Sequence, residues 1–499
     1  MLKGFRRKYK PLEVLSEEEL EAIHRGALDV LETTGVRVEH DRALKLFADH
    51  GCNVDFEEKR VRIPPWLAEE SLRKCPSHFK MKARDPKYDL MVGGDTFYFL
   101  HGMGMRYVDL DTWETRPATV KEHRDAMIIA DSLENLHMAG GYEFYMDRVG
   151  IPPCMVMLEN FASGVRYSAK AEHMGYEKDC EKFAIKAAKE LGITLMGELG
   201  TAAPLTFYNG VVEAMFSFAE AGFPCRPVIY VIMGAEGPVT LSGSLVLSNA
   251  QMIASVVLVQ LMKPGVGMVI EHGISPMDMQ RGTNQIGGAV EHALTTVGFN
   301  QLLHRYQIPS MTCAGYTSTS KKIDYQCGYE KAMGTLISAL SGANLHIFQG
   351  GSGFELIYHH VLSILDDDIA GWVGRFLEGV EVNHETLAID LIKEVGPIPG
   401  NYLRTEHTRK WWKKEQFMPK VADKEVYPVW IKSGKKDALA LAKERMEEIL
   451  ATHKPEPLTP AQEQTVENML KEAREYYRKE DLISDEEWTV YMKALEETD

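Results

Sequence analysis

The sequence lacks the signatures of several protein classes. Its seven cysteines, Cys52, Cys75, Cys154, Cys180, Cys225, Cys313 and Cys327, are scattered and odd in number, and none forms a CxxC pair. That excludes a disulfide scaffold and points to reduced thiols in a cytoplasm. There is no HExxH and no paired Cys/His spacing, so a metal site would have to be assembled from separate strands, and no tightly bound metal is expected. No early GxGxxG turn favours an open doubly wound sheet. No apolar run reaches the roughly 18 residues of a membrane span. The basic start, MLKGFRRKYKPLEVL, has no apolar stretch behind it and reads as no secretory signal. Positive charge is also short: 56 Lys and Arg stand against 72 Asp and Glu, for a net charge of -16. Nucleic acid and anionic membranes are poor partners for such a surface, leaving small molecules and other proteins.

What is present is a long globular chain of 499 residues, 45% of them hydrophobic, with capacity for a large core. Ser16 followed by Glu19 has capping-box spacing and opens a helix over Leu15 to Thr34. Helices over Asp41 to His50 and from Pro64 and Pro65, with a hairpin between Cys52 and Ile63, complete a helical region over residues 1–95. From residue 96 a rhythm begins. Short β-prone runs fall at Tyr98–Leu100, Leu136–Gly140, Val165–Ala169, Ile193–Gly197, Val228–Met233, Gly267–Glu271, Ser310–Ala314 and Asn344–Gln349, with helical patterns filling most gaps. Eight strands alternating with helices predict a (β/α)8 TIM barrel over residues 96–380. Residues 381–499 read as a helical C-terminal extension, packed on the barrel or on another subunit, and a homo-oligomer is expected.

A barrel places chemistry at the C-terminal ends of its strands. If the outward face must be apolar to meet the helices, polar residues within a strand point inward. That parity turns Phe99, His101, His137, Arg166, Ser168, Lys170, Thr194, Glu198, Thr312, Asn344, His346 and Phe348 to the lumen, with either Glu271 or His272 in strand six. The expected rim comprises His101, Tyr142, Glu143, Lys170, Glu198, Tyr230, Glu271, His272, Tyr316, His346, Phe348 and Phe354. Acids, histidines and aromatic rings together suit a cationic organic ligand.

The runs GAEGPVTLSGSLVLSNAQ, LVQLMKPG, MDMQRG, DYQCGYEKA and SGANLH, the string NYLRTEHTRKWWKKEQFMPK, and the N-terminal LSEEELEAIHRGALDVLETTGVRVEHDRAL and VRIPPWLAEESL resemble the trimethylamine methyltransferase family of corrinoid-dependent enzymes. The resemblance implies a (β/α)8 barrel and a methyl transfer to the Co(I) corrinoid (cobalamin) of a cognate partner protein. Founding members carry pyrrolysine, expected near the end of strand eight, around Gly350–Gly353. This sequence contains only standard residues and is similar to the non-pyrrolysine branch, whose characterised members demethylate quaternary amines such as glycine betaine. A quaternary nitrogen already carries the charge that makes a neutral amine leave, so no covalent activating residue is implied.

The roles that follow are a cage of Phe99, Tyr142, Phe348 and Phe354 for the trimethylammonium head, negative potential from Glu198 and Glu271, and His101, His346 or Lys170 for a carboxylate tail. A one-residue error of register exchanges the inward and outward sets. Two other classes stand beside this reading: a zinc-using corrinoid methyltransferase or metal-dependent barrel hydrolase, and a quaternary-amine binding protein without catalysis.

Overall fold

The computed structural model describes residues 4–140 and 144–496. Local chemistry sets the helix ends. The Ser16 hydroxyl accepts the Glu19 N–H while the Glu19 carboxylate accepts the Ser16 N–H, starting a helix over Glu17–Asp29. Thr119 and Glu122 do the same for Val120–Ser132. The expected N-terminal hairpin forms between Asn53–Asp55 and Arg60–Arg62 and joins a four-stranded sheet that also takes in Val36–Val38 and Thr206–Phe207.

The centre of the molecule is a curled sheet of parallel strands: β1 (Thr96–His101), β2 (Glu172–Met174), β3 (Leu195–Gly200), β4 (Cys225–Met233), β5 (Ile270–Asp278), β6 (Ser310–Thr312) and β7 (Leu345–Gln349), in the order β1-β7-β6-β5-β4-β3-β2. Phe5–Arg6 adds antiparallel to β1 and Thr283–Asn284 to β5. Isolated parallel bridges join Leu100 to Met138 and Met138 to Ala171, linking the two ends of the sheet. Helices over Pro153–Tyr167, Cys180–Leu191, Asn209–Ala221, Leu241–Met262, Val290–Tyr306, Tyr325–Leu340 and His360–Leu377 pack around it. Leu241–Met262 is long and apolar enough to cross a membrane, but 78% of its apolar window is buried against neighbouring elements.

Two expected strands differ. Val165–Ala169 is the end of the helix Pro153–Tyr167, because Pro152 and Pro153 start a helix that carries its β-prone tail along. The strand follows at Glu172–Met174. Arg166 accordingly lies outside the sheet, paired with Glu463 at 2.6 Å and with Glu467, and the Ser168 hydroxyl donates to Asp131 at 2.9 Å. The Leu136–Gly140 run contributes only the Met138 bridges.

The lumen is identified by composition. One buried cluster joins Tyr98, Leu100, Met138, Ala171, Met196, Val269, Met311, Cys313, Leu345 and Ile347 with Met81, Leu90 and Val92 of the hairpin His78–Met81/Leu90–Gly93. It draws on the sheet from end to end and includes no residue of the surrounding helices. A second cluster holds Phe97, Phe99 and Phe348 against Ala339, Ala370, Val373 and Leu377 of the helical layer. The expected parity is therefore reversed in β1 and β7. The lower lumen is itself a hydrophobic core, and polar residues are accommodated outside it wherever they find partners.

Candidate functional site

Above the apolar floor, three strands place charge in the lumen. Arg226 of β4 is wholly buried, with Nη1 3.5 Å from Met311 Sδ. Its guanidinium contacts Glu198 of β3 through Nη2 and lies 3.1 Å from Glu271 Oε2 of β5 through Nε. Four residues on from Arg226, and so on the same face of β4, the Tyr230 hydroxyl donates to Glu271 Oε1 at 2.9 Å. Strand pairing levels these groups, since Glu198 is opposite Arg226 and Val228 is opposite Glu271.

The loop after β7 closes over this cluster. Gly350 and Gly353 have φ of 94° and 60°, and Phe354 and Glu355 follow at 58° and 68°. Two consecutive non-glycine residues in the left-handed region cost about 1–3 kcal/mol each, so surrounding contacts must hold them. Gly353 N donates to Ser320 O and Phe354 N to Ser318 O, each at 3.1 Å, while Glu355 N donates to Thr317 Oγ1 at 3.2 Å. Met105 N donates to Glu355 O at 3.0 Å. Phe354 packs at the edge of the lumen cluster with Tyr230, and Lys321 Nζ sits 5.0 Å from its ring centroid.

The start of the helix Tyr325–Leu340 fastens these loops. The Glu330 carboxylate accepts from the hydroxyls of Ser318 (2.7 Å) and Thr319 (2.9 Å) and from the Thr319 N–H (2.7 Å). Lys331 Nζ, fully buried, donates to three carbonyls: Tyr316 O at 2.7 Å, Gly351 O at 2.9 Å and Phe348 O at 3.0 Å. Asp366 lies 3.3 Å from that ammonium and accepts the Gly350 N–H at 2.8 Å. Burial lifts Asp366 to about 6 although Lys331 opposes the shift.

The electrostatic result is three carboxylates about one guanidinium. Burial and then Glu271 lift Glu355 to about 7. Burial, Glu271 and Glu355 push Glu198 well above the carboxylate range, against the pull of the Arg226 guanidinium it touches. Burial lowers Arg226, with Glu271 working against that shift. The Tyr316 hydroxyl, in the same lumen cluster, is buried without a hydrogen-bond partner among the described residues. Among the described residues no three His, Cys, Asp or Glu side chains converge as a metal-ligating group.

The profile of the trimethylamine methyltransferase (MTTB) family matches residues 1–476. The chain belongs to this family. It is 29% identical over 462 residues to a glycine betaine methyltransferase of Desulfitobacterium hafniense, covering 90% of this chain and 94% of that protein. It is likewise 29% identical over 469 residues to a trimethylamine methyltransferase of Methanosarcina thermophila, with 90% and 94% covered. The crystal structure of the Methanosarcina barkeri monomethylamine methyltransferase aligns with a TM-score of 0.48 at 10% identity, over 92% of this chain and 94% of that one.

In this family member the expected site residues divide. Glu198, Glu271, Tyr230, Tyr316 and Phe354 come together at the mouth. The strand-six ambiguity resolves to Glu271, because His272 points outward, 3.1 Å from Asn300 Oδ1 and stacked on Phe299. Tyr142 and Glu143 lie outside the described residues. The remaining expectations do not hold. Phe99 and Phe348 face the helices, and the cation over the Phe348 ring is the protein's own Lys331, 4.9 Å from its centroid. His346 is also outward, its ring bonded to Thr312 and to Thr335 Oγ1 at 3.2 Å, and burial drops it to about 3. His137 Nδ1 accepts the Phe99 N–H. Lys170 Nζ caps the helix Val120–Ser132 through the carbonyls of Ala130 (2.8 Å) and Leu133 (2.7 Å). His101 stacks on Phe144 at 4.0 Å with its ring nitrogens facing the carbonyls of Gly102 and Gly140, and burial lowers it to about 4. None of the three expected tail partners has a charged group free to offer.

Sequence reasoning missed Arg226 and Glu355. Arg226 left a signal: a lone arginine in the β-prone run CRPVIYVIM has to be buried against carboxylates, and its i+4 relation to Tyr230 puts both on one face. Glu355 left none, since its position depends on the backbone path of the glycine loop.

Proposed function

We propose that this protein transfers a methyl group from a quaternary amine, glycine betaine or a related betaine, to the Co(I) corrinoid of a cognate partner protein. The observation that carries this reading is the convergence of Glu198, Glu271 and Glu355 with Tyr230, Tyr316 and Phe354 about a single arginine, on the inner face of strands β3, β4 and β5 and the loops after β6 and β7. A trimethylammonium head has no N–H to donate, so it is held by negative potential and ring faces. The cluster provides both, with ring faces from Tyr230, Tyr316 and Phe354 and a charge from Glu355 that grows as pH rises through about 7.

The residues present fit a methyl transfer that needs no covalent help from the chain. The partner's reduced corrinoid supplies the nucleophile. The C–N electron pair stays on nitrogen, and a neutral tertiary amine leaves. The chain's own work is to orient the methyl group toward the mouth and to exclude water. Glu271, fixed by Arg226 and Tyr230, and Glu355, fixed by its loop, set the potential at the head. Tyr316, whose hydroxyl is buried and free, takes the place of the histidines and lysine as donor to a carboxylate tail. We also read the curled sheet as the wall of a (β/α)8 barrel whose second strand is reduced to the run about Met138; the pairings of Met138 with Leu100 and Ala171 support it.

The test is a panel of glycine betaine, proline betaine, carnitine and trimethylamine with the protein and chemically reduced free corrinoid, following loss of the Co(I) absorbance. Consumption with at least one betaine is expected. Consumption with trimethylamine alone refutes the substrate class, and betaine binding without consumption makes the protein a binder rather than an enzyme.

A further inference from the structure

We infer that the recess among the helices Val120–Ser132, Pro153–Tyr167 and Pro460–Lys479 is a second binding site, for a small organic acid whose carboxylate or phosphate head is held by Arg148. The recess measures about 420 Å³, within the range of small-molecule sites. None of its lining residues belongs to the cluster about Arg226.

Arg148 carries the inference. It is 6% exposed, and its Nε and Nη2 have no hydrogen-bond partner among the described residues. Charged donors left unmade in a protein interior are expensive, so an oxyanion there is strongly favoured. The two neighbouring arginines show what such an edge takes. Arg166 donates from Nε and Nη2 to Glu463 Oε1 at 2.9 and 2.6 Å, and from Nη2 to Glu467 as well. Arg474 donates from Nε to the Tyr491 hydroxyl at 3.0 Å and from Nη2 to Glu159 Oε1 at 2.7 Å. The three carboxylates that line the recess, Glu159, Glu463 and Glu467, are thus committed to other arginines. Burial lowers Arg148 to about 10 with Glu159 working against the shift, which leaves it charged at neutral pH.

Nε and Nη2 form one side of a guanidinium, with N–H bonds nearly parallel, and that fork matches two oxygens of a carboxylate or a phosphate. Val120, Leu470 and Leu495 give the recess an apolar lining for the body of the acid. Arg148 stands on the loop after the Met138 run, and the residue before it, Asp147, donates its N–H to Met105 O at 3.0 Å, while Met105 N donates to Glu355 O at 3.0 Å. An occupant therefore braces the loop beside the one that presents Glu355, without entering the lumen.

The inference stands apart from the methyl-transfer reading, because its readout is the melting midpoint of the full-length protein without amine. The probes are phosphate, phenyl phosphate, acetate and benzoate, with ionic strength held constant by sodium chloride. A saturable rise is expected with one of the two pairs, which identifies the head group, and at lower concentration for the ring-bearing member of that pair. Arg148→Lys, a point charge in place of a fork, should weaken the apparent Kd on the order of tenfold, for the loss of one charge-assisted hydrogen bond. Arg148→Met should abolish the response, and its midpoint without anion should be no lower than that of wild type, since an unanswered buried charge has been removed. No saturable rise in the wild-type protein overturns the inference. So does an equal rise in Arg148→Met, the mark of a general salt effect, or an Arg148→Met protein that melts below wild type without anion, the mark of a structural guanidinium.

Discussion

Glu355 offers the sharpest test of the site, because its carboxyl titrates where the assay is run. Held at about 7 by burial and by Glu271, it is protonated in part of the molecules at neutral pH and ionised in the rest. Ionisation adds one negative charge to the cluster. At an effective dielectric constant of about 20 a charge pair roughly 4–5 Å apart is worth at most about 3–4 kcal/mol; screening at the half-open mouth brings a realistic figure to about 1–2 kcal/mol, or 5- to 30-fold in affinity. Affinity for a quaternary amine should therefore be lowest near pH 5.5, rise through pH 7, and level off above pH 8.5, with a slope of no more than tenfold per pH unit for one proton.

The same group makes an opposite prediction for stability. A carboxyl whose folded value lies above its unfolded value of 4.5 keeps a proton that the unfolded chain gives up, so its contribution is fully present below 4.5 and is lost as pH rises to about 7. At 1.36 kcal/mol per pH unit that loss is roughly 3 kcal/mol. Glu355→Gln should thus bind at the low-pH level throughout, and at pH 8 without amine it should be more stable than wild type by up to about 3 kcal/mol. Calorimetric titration with glycine betaine at pH 6, 7 and 8, with denaturant unfolding at the same values, measures both. A Gln variant that keeps the wild-type pH slope would show that the titrating carboxylate lies elsewhere and would refute this account of the cluster.

Other substitutions separate scaffold from site. Arg226→Met leaves Glu198 and Glu271 as buried carboxylates without their cation, and a loss of about 3–5 kcal/mol is expected in denaturant unfolding. Lys331→Met leaves the carbonyls of Tyr316, Phe348 and Gly351 unanswered; we expect KM for the amine to rise with far-UV circular dichroism unchanged, and Lys331→Arg to rescue poorly because a flat guanidinium does not fit three converging carbonyls. Phe348→Ala should cost about 3–5 kcal/mol of stability as an outer-layer cavity, with intrinsic amine affinity little changed. Phe354→Ala should do the reverse, with affinity down about 5- to 30-fold and unfolding nearly unaltered.

The fold was legible because period and caps are local. Ser16 with Glu19, the alternation of β-prone runs with helices, and the N-terminal hairpin are all visible in short windows of sequence. The third strand was misplaced because VRYSA is β-prone in isolation, while the helix begun at Pro153 runs through it. Glu198 was legible from strand alternation, Glu271 was legible only as one of two choices with His272, and the facing of β1 and β7 was illegible. Strand parity was inferred from polarity, but His346 and Thr312 satisfy each other outside the sheet and Met311, Leu345 and Ile347 fill the lumen. Lys170 misled for the same reason: two helix-end carbonyls are as good a partner for a buried ammonium as a substrate.

The grip of Lys331 has a consequence for how such a scaffold diversifies. Its ammonium holds main-chain oxygens, which every amino acid carries, and meets the side chains it fastens only across the face of the Phe348 ring among the described residues. Side chains at the tip can then be exchanged, one chemistry for another, while the frame that presents them keeps its shape. A loop held in this way is a socket rather than a fitted part, and a change of substrate asks for a new residue in the socket without a new socket.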